Sequence, residues 1–137
     1  MRERQRTTLN DAQVRGLPQL LFVLRGADLA VTTDQQFTRV FSGTNYVVTD
    51  VIAARKTGAF GVACLGGVYT AASKAGDALV AAAQSWAALT GAAKAVVATL
   101  AAIAGTATQS ATPYFSLSTG NTGALTADIF IYGVCVD

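Results

Sequence analysis

The sequence predicts a β-sheet domain, and three features carry that expectation. Residues 46–54 are crowded with β-branched side chains, Val47, Val48, Thr49, Val51 and Ile52, which favour strands. Residues 125–136 form a long alternating run. One of its rows is Leu125, Ala127, Ile129, Ile131 and Cys135, and the other is Thr126, Asp128, Phe130, Tyr132, Val134 and Val136. Both rows are largely apolar, so this strand is central or covered by a neighbour. Turn-forming clusters, Ser42-Gly43-Thr44-Asn45 and Gly120-Asn121-Thr122-Gly123, punctuate the chain between these runs.

The elements follow in order. Residues 1–16 are polar, Arg-rich and without periodicity, and read as an arm that orders only on docking. Residues 17–24 form a short apolar segment, a first strand or the anchor of that arm, and Gly26 and Asp28 mark a turn. Short strands are expected over 29–33 and 37–41. After the strand at 46–54, residues 55–58 read as a loop. Residues 60–72 are a second long strand candidate containing Gly61, Gly66 and Gly67. Glycines inside a strand mark a bulge or a close backbone approach. Residues 73–77 form the next turn.

Residues 77–103 admit two readings. Leu79, Ala83, Trp86 and Leu89 fall at helical spacing, and Val96, Leu100 and Ile103 repeat it, which fits two helices broken at Gly91. The same residues fit two strands joined across Thr90-Gly91. Beyond them, 105–112 is a small-polar loop, and 113–119, with Tyr114, Phe115 and Leu117, is a strand.

A chain of 137 residues with 52% hydrophobic content has the size of one domain and too much apolar side chain for disorder. The basic side chains concentrate at the start. Residues 1–25 hold five arginines against Glu3 and Asp11, a local +3, and residues 26–137 hold five basic and six acidic groups, a local −1. Over the seventy-one residues 57–127 the only charged side chains are Lys74, Asp77 and Lys94. An ordinary soluble surface is roughly a quarter to a third charged. A small domain cannot hide that much neutral chain inside itself, so part of the surface is expected to be covered by protein.

Catalytic chemistry finds little footing. The chain has no His, which removes Ser–His nucleophilic catalysis and thins any metal site. Cys64 and Cys135 both lie in apolar runs and are expected as buried free thiols. Asp28, Asp34, Asp50, Asp77 and Asp128 sit near turns or strand ends, where Asp is more often a solvated or capping residue than a member of a carboxylate pair. The glycine clusters lack phosphate-binding spacing. Five arginines without interleaved aromatics are a weak nucleic-acid signal. No export leader or membrane span is recognisable, which fits a soluble intracellular product.

The segment Gly66-Gly67-Val68-Tyr69-Thr70-Ala71-Ala72-Ser73-Lys74-Ala75-Gly76, the run 79–86 and the ending Leu125-Thr126-Ala127-Asp128-Ile129-Phe130-Ile131-Tyr132-Gly133 resemble small structural proteins of tailed bacteriophages. The nearest likeness is to the cement, or decoration, proteins of short-tailed phage heads. It covers roughly residues 46–136 and lies in texture, not in a catalytic signature.

The resemblance implies an all-β fold, a jelly-roll β-sandwich of about eight strands over 17–137, preceded by the extended arm at 1–16. It resolves residues 79–89 and 95–104 as strands. It also implies a structural role without a cofactor: binding the outside of a capsid and bridging subunits of the major capsid protein. Nucleic acid and membrane are not expected as partners. The neutral surface adds the expectation of a homo-oligomer, a dimer being the commonest form. The residues expected at partner contacts are Arg4, Arg6 and Arg15 of the arm, Phe22, and the row Phe130, Tyr132 and Val134. A carbohydrate- or receptor-binding module of a tail fibre or collar is the competing reading, with Tyr114 and Asn121 as its candidates. A small phage lysin and a helical membrane-active protein are further alternatives.

Overall fold

In the computed structural model the structure describes residues 17–59, 61–62, 64–89 and 94–137. These form an all-β fold with no helix among the described residues: β1 (Pro18–Asp28), β2 (Gln35–Gln36), β3 (Thr38–Arg39), β4 (Tyr46–Gly58), β5 (Leu65–Ala71), β6 (Ala75–Val80), β7 (Ala95–Val97), β8 (Tyr114–Thr119) and β9 (Leu125–Cys135). Two antiparallel sheets pack together. One has the order β3-β1-β9-β4-β7 and the other the order β2-β8-β5-β6.

The alternation of β9 sets the layers. Leu125, Ala127, Ile129, Ile131 and Cys135 are buried and the intervening side chains are partly exposed. The buried row pairs with buried positions on both neighbours: Tyr46, Val48, Val51 and Ala53 of β4, and Phe22 of β1. Val68, Val80, Phe115 and Leu117 complete the core from the other sheet. Phe22, Phe41 and Tyr46 meet edge to face at centroid distances of 5.0 to 5.8 Å, a geometry that adds attraction beyond buried area. Cys64 and Cys135 are buried thiols that form no disulfide, as expected from their apolar runs.

Several boundaries depart from the sequence reading. Gly26 does not turn the chain: it lies inside β1, where a bulge places Arg25 and Gly26 together opposite Asp128 and the pairing resumes at Ala27. Asp28 ends β1 and caps the turn at Leu29-Ala30, accepting from Ala30 N through Oδ1. Gly26 has φ 62 and nothing within 4 Å of a Cβ position, so glycine serves the backbone angle there and not close packing. Residues 55–58 are likewise strand, not loop, again through a bulge. The strand expected over 60–72 begins only at Leu65. Residues 29–33 form no strand, because Leu29 turns inward to bond Leu125 and Asn121 through its backbone. The strand expected over 37–41 shrinks to Thr38–Arg39.

Residues 77–103 follow neither sequence reading in full. Strand character is confined to the end of β6 and to three residues of β7, and no helix occurs among the described residues. Between and after these strands the backbone is bonded piecemeal. Gln84 O accepts from Gly66 N at 3.0 Å, Trp86 N donates to Cys64 O at 3.0 Å, and Ala101 N donates to Leu79 O at 2.9 Å. Leu79, Trp86 and Leu89 are buried, so their spacing records single anchors of an irregular segment. The strand expectation for 79–89 and 95–104 therefore holds only for Leu79, Val80 and Ala95–Val97.

Candidate interaction surface

Residues paired directly across an antiparallel ladder share a face of the sheet. On the outer face of the five-stranded sheet the register aligns Thr38, Val23, Phe130, Ile52 and Val97 in one row that crosses all five strands. A second row holds Leu20, Tyr132 and Asp50. A third holds Pro18, Val134 and Val47. Asp50 is the sole ionisable acid in these three rows. Val97 is 63% exposed. Among the described residues no further sheet lies over this face. The row Phe130, Tyr132 and Val134, expected at a partner contact, is therefore the outer row of β9 and half-buried.

The face ends at a charged cluster. Bulges on both neighbours of β9 converge near Asp128. Arg25 and Gly26 oppose it from β1, and Arg55 and Lys56 oppose the adjacent Ala127 from β4. Gly26 N donates to Asp128 Oδ1 at 2.8 Å. Arg25 Nη1 and Arg55 Nη1 approach Asp128 Oδ2 at 3.9 and 3.5 Å. The Arg55 guanidinium also lies 5.9 Å from the Phe130 ring centroid. Beside Arg25 a groove of about 390 Å³ is lined by Val23, Leu24, Thr38 and Val40.

Other expected site residues fall elsewhere. Phe22 is fully buried in the aromatic cluster and cannot meet a partner: its apolar neighbours in sequence belong to a core strand. Arg4, Arg6 and Arg15 lie outside the described residues, as does the whole arm. Asn121 is buried and its amide is fully used. Its Oδ1 accepts from Gly61 N and Val62 N, and its Nδ2 donates to Ala59 O and Gly123 O. Asn121 thus clamps two loops and offers nothing to a sugar. The Tyr114 hydroxyl accepts from Gln36 Nε2 at 3.3 Å.

The carboxylates are dispersed among structural tasks. Asp28 accepts from Ala30 N, Asp77 from Gln109 Nε2, and Asp137 from Thr44 N and Asn45 N. Asp34 accepts from Ser73 N at 2.6 Å, and that backbone bond holds its carboxyl below the usual range against the small opposing effect of burial. Burial pushes the Cys64 thiol up, away from the thiolate a nucleophile needs. Among the described residues no three His, Cys, Asp or Glu side chains gather as metal ligands. No described helix is long and apolar enough to cross a membrane.

Sequence reasoning missed Val23, Ile52, Val97, Arg25 and Arg55 as parts of one surface. Their union depends on register and on two bulges, which single-strand patterns do not encode. Comparison with protein-family models, curated proteins and solved structures returns no match for this chain.

Proposed function

We propose that this chain is a structural virion protein, a cement or decoration protein on the outside of a tailed-phage head, where it bridges subunits of the major capsid protein. The observation that carries this reading is the apolar outer face of the five-stranded sheet, over which no further sheet lies among the described residues. The resemblance of residues 46–136 to phage cement proteins gives the face its partner.

The strand orders support a jelly-roll sandwich. Without the two-residue β3, the sheets read β1-β9-β4-β7 and β2-β8-β5-β6. Every connection among these eight strands then crosses from one sheet to the other, except β5 to β6. Two interleaved Greek keys produce that sequence of crossings.

The size of the face favours lattice binding. The widest row crosses five strands, roughly 20 Å, and the three rows run about 14 Å along β9, which puts a single contact at or below the floor for a specific interface. A homo-oligomer that touches several capsid subunits gains avidity from weak individual contacts. Binding a closed shell better than free subunits stabilises the shell by linkage. The protein would be made in the host bacterial cytoplasm and reside on the virion exterior, with neither nucleic acid nor membrane as a partner.

The test is co-expression with the major capsid protein from the same genome, followed by sedimentation of shells. The chain is expected to co-sediment with closed shells and to raise their dissociation temperature. Shells that sediment without it overturn the reading.

A further inference from the structure

The groove between β1 and β3 has Arg25 on its wall, and Arg25 meets Arg55, from the far side of β9, at the carboxylate of Asp128. Both guanidinium groups approach its Oδ2. The other oxygen of Asp128 is taken by Gly26 N. Two guanidinium side chains, 66% and 67% exposed, thus stand against one carboxylate whose acceptors are already engaged. The cluster of these three groups carries one positive charge in excess.

The backbone is bent to make this arrangement. Arg55 has φ 56, a left-handed conformation that costs a side-chain-bearing residue about 1–2 kcal/mol. Strain of this kind persists where the surroundings enforce it, often at functional positions. Bulges re-aim side chains, and here two of them turn arginines from different strands toward one point.

We propose that this feature seats an acidic–apolar segment of a partner protein. A Leu- or Phe-sized side chain enters the groove against Val23, Leu24 and Val40, and a neighbouring carboxylate binds Arg25 and Arg55. A groove of about 390 Å³ is large enough for one such anchor. A nucleic-acid backbone fits poorly, because the groove wall beside Arg25 is aliphatic and residues 17–137, with six basic and six acidic groups, carry no net positive charge. The inference deepens the partner chemistry of the capsid reading and rests on that reading only for which protein supplies the segment.

The test uses the full chain, labelled with ¹⁵N, and a capped heptapeptide centred on Asp-Leu-Glu. Saturable shifts are expected at Val23, Leu24, Thr38 and Val40. The Asn-Leu-Gln peptide should bind about five-fold more weakly, the order that a partly exposed ion pair supports. In the Arg25→Gln/Arg55→Gln variant, whose spectrum also reports its fold, that preference should vanish. Equal affinity for both peptides, shifts confined elsewhere, or no binding at millimolar peptide overturns the proposal. So does a shift pattern reproduced by diluting the chain alone, which assigns the groove to a second copy. Shell sedimentation separates the two ideas: a chain that binds the peptide but not shells keeps the groove and loses the capsid.

Discussion

Trp86 Nε1 donates a hydrogen bond to the carbonyl of Gly66 at 3.1 Å, tying an irregular segment to an inner strand of the four-stranded sheet. The indole is fully buried and meets Phe115 edge to face at 5.5 Å. Gly66 has no room for a side chain, since a Cβ there would stand 2.4 Å from Leu117 Cα. The pair reinforces the single bridge, Leu65 to Ser85, by which the backbone of 81–89 is bonded to β5.

Trp86→Ala is therefore expected to cost about 3–5 kcal/mol, the range for emptying a large aromatic site. That is a large share of the ~5–15 kcal/mol by which a domain is stable. Trp86→Phe should cost less, keeping most of the apolar contact but leaving the Gly66 carbonyl without its donor. Urea unfolding followed by circular dichroism checks both. A Trp86→Ala variant as stable as the parent would show that the segment is not anchored through its indole.

Tyr46 gives a pH dependence with a definite sign. Its hydroxyl donates to Ala111 O at 2.5 Å. Burial pushes its pKa up to about 12, opposed weakly by the positive charge of Arg39. The fold thus prefers the protonated phenol. The associated stability is complete below the unfolded value near 10 and is lost as pH rises through about 12. The denaturation midpoint should fall over that window, and Tyr46→Phe should flatten the fall at a cost of about 1 kcal/mol at neutral pH. Any slope that remains belongs in part to Tyr69, whose phenol burial also pushes up. An unchanged alkaline slope in Tyr46→Phe would refute the assignment.

The parts of the fold legible in the sequence are those in which a single strand declares itself. Residues 46–54 and 125–136 show their β-branched or alternating character without help from neighbours, and β4 and β9 stand there. The charged cluster was not legible, because Arg25, Arg55 and Asp128 meet only through two bulges on different strands. The helical spacing of Leu79, Trp86 and Leu89 misled for a related reason: buried anchors in coil can fall at any interval, and alanine between them favours no state strongly enough to object. Phe22 was misplaced because an apolar residue near an arm looks the same whether its strand lies at the rim or in the core.

Two glycines separate steric need from conformational need. A Cβ on Gly133 would stand 2.1 Å from Val47 O and 2.7 Å from Leu21 Cδ1. Because β9 is paired on both sides, its backbone has little freedom to yield. Gly133→Ala should cost about 1–3 kcal/mol or more, as overpacking does. Gly26→Ala meets open space and suffers only from φ 62, about 1 kcal/mol. Gly26→Asn should recover part of that, since Asn tolerates this backbone region. Thermal melts of the three variants should rank Gly133→Ala lowest. Equal melting of Gly133→Ala and the parent would mean that β1 and β4 splay more readily than the packing implies.

The outer row of β9 offers the most direct test of what the apolar face does. Tyr132 is a poor choice for an acidic substitution, because it pairs across the sheet with Asp50 and a new carboxylate there would repel it. Val134 is flanked by Pro18 and Val47, and its side chain is half-buried on the outer face. Val134→Asp should therefore leave the fold intact, with a melting temperature within a few degrees of the parent, because a partly exposed charge keeps most of its hydration. If the face is a partner surface, the same variant should lose self-association and shell attachment, since a contact must desolvate that carboxylate without a counter-charge. Ile131→Asp is the control. It points into the core with no exposure and should unfold the domain. Circular dichroism and sedimentation velocity on both variants give the four readouts. A folded Val134→Asp that assembles and attaches like the parent would show that the apolar face stays in water.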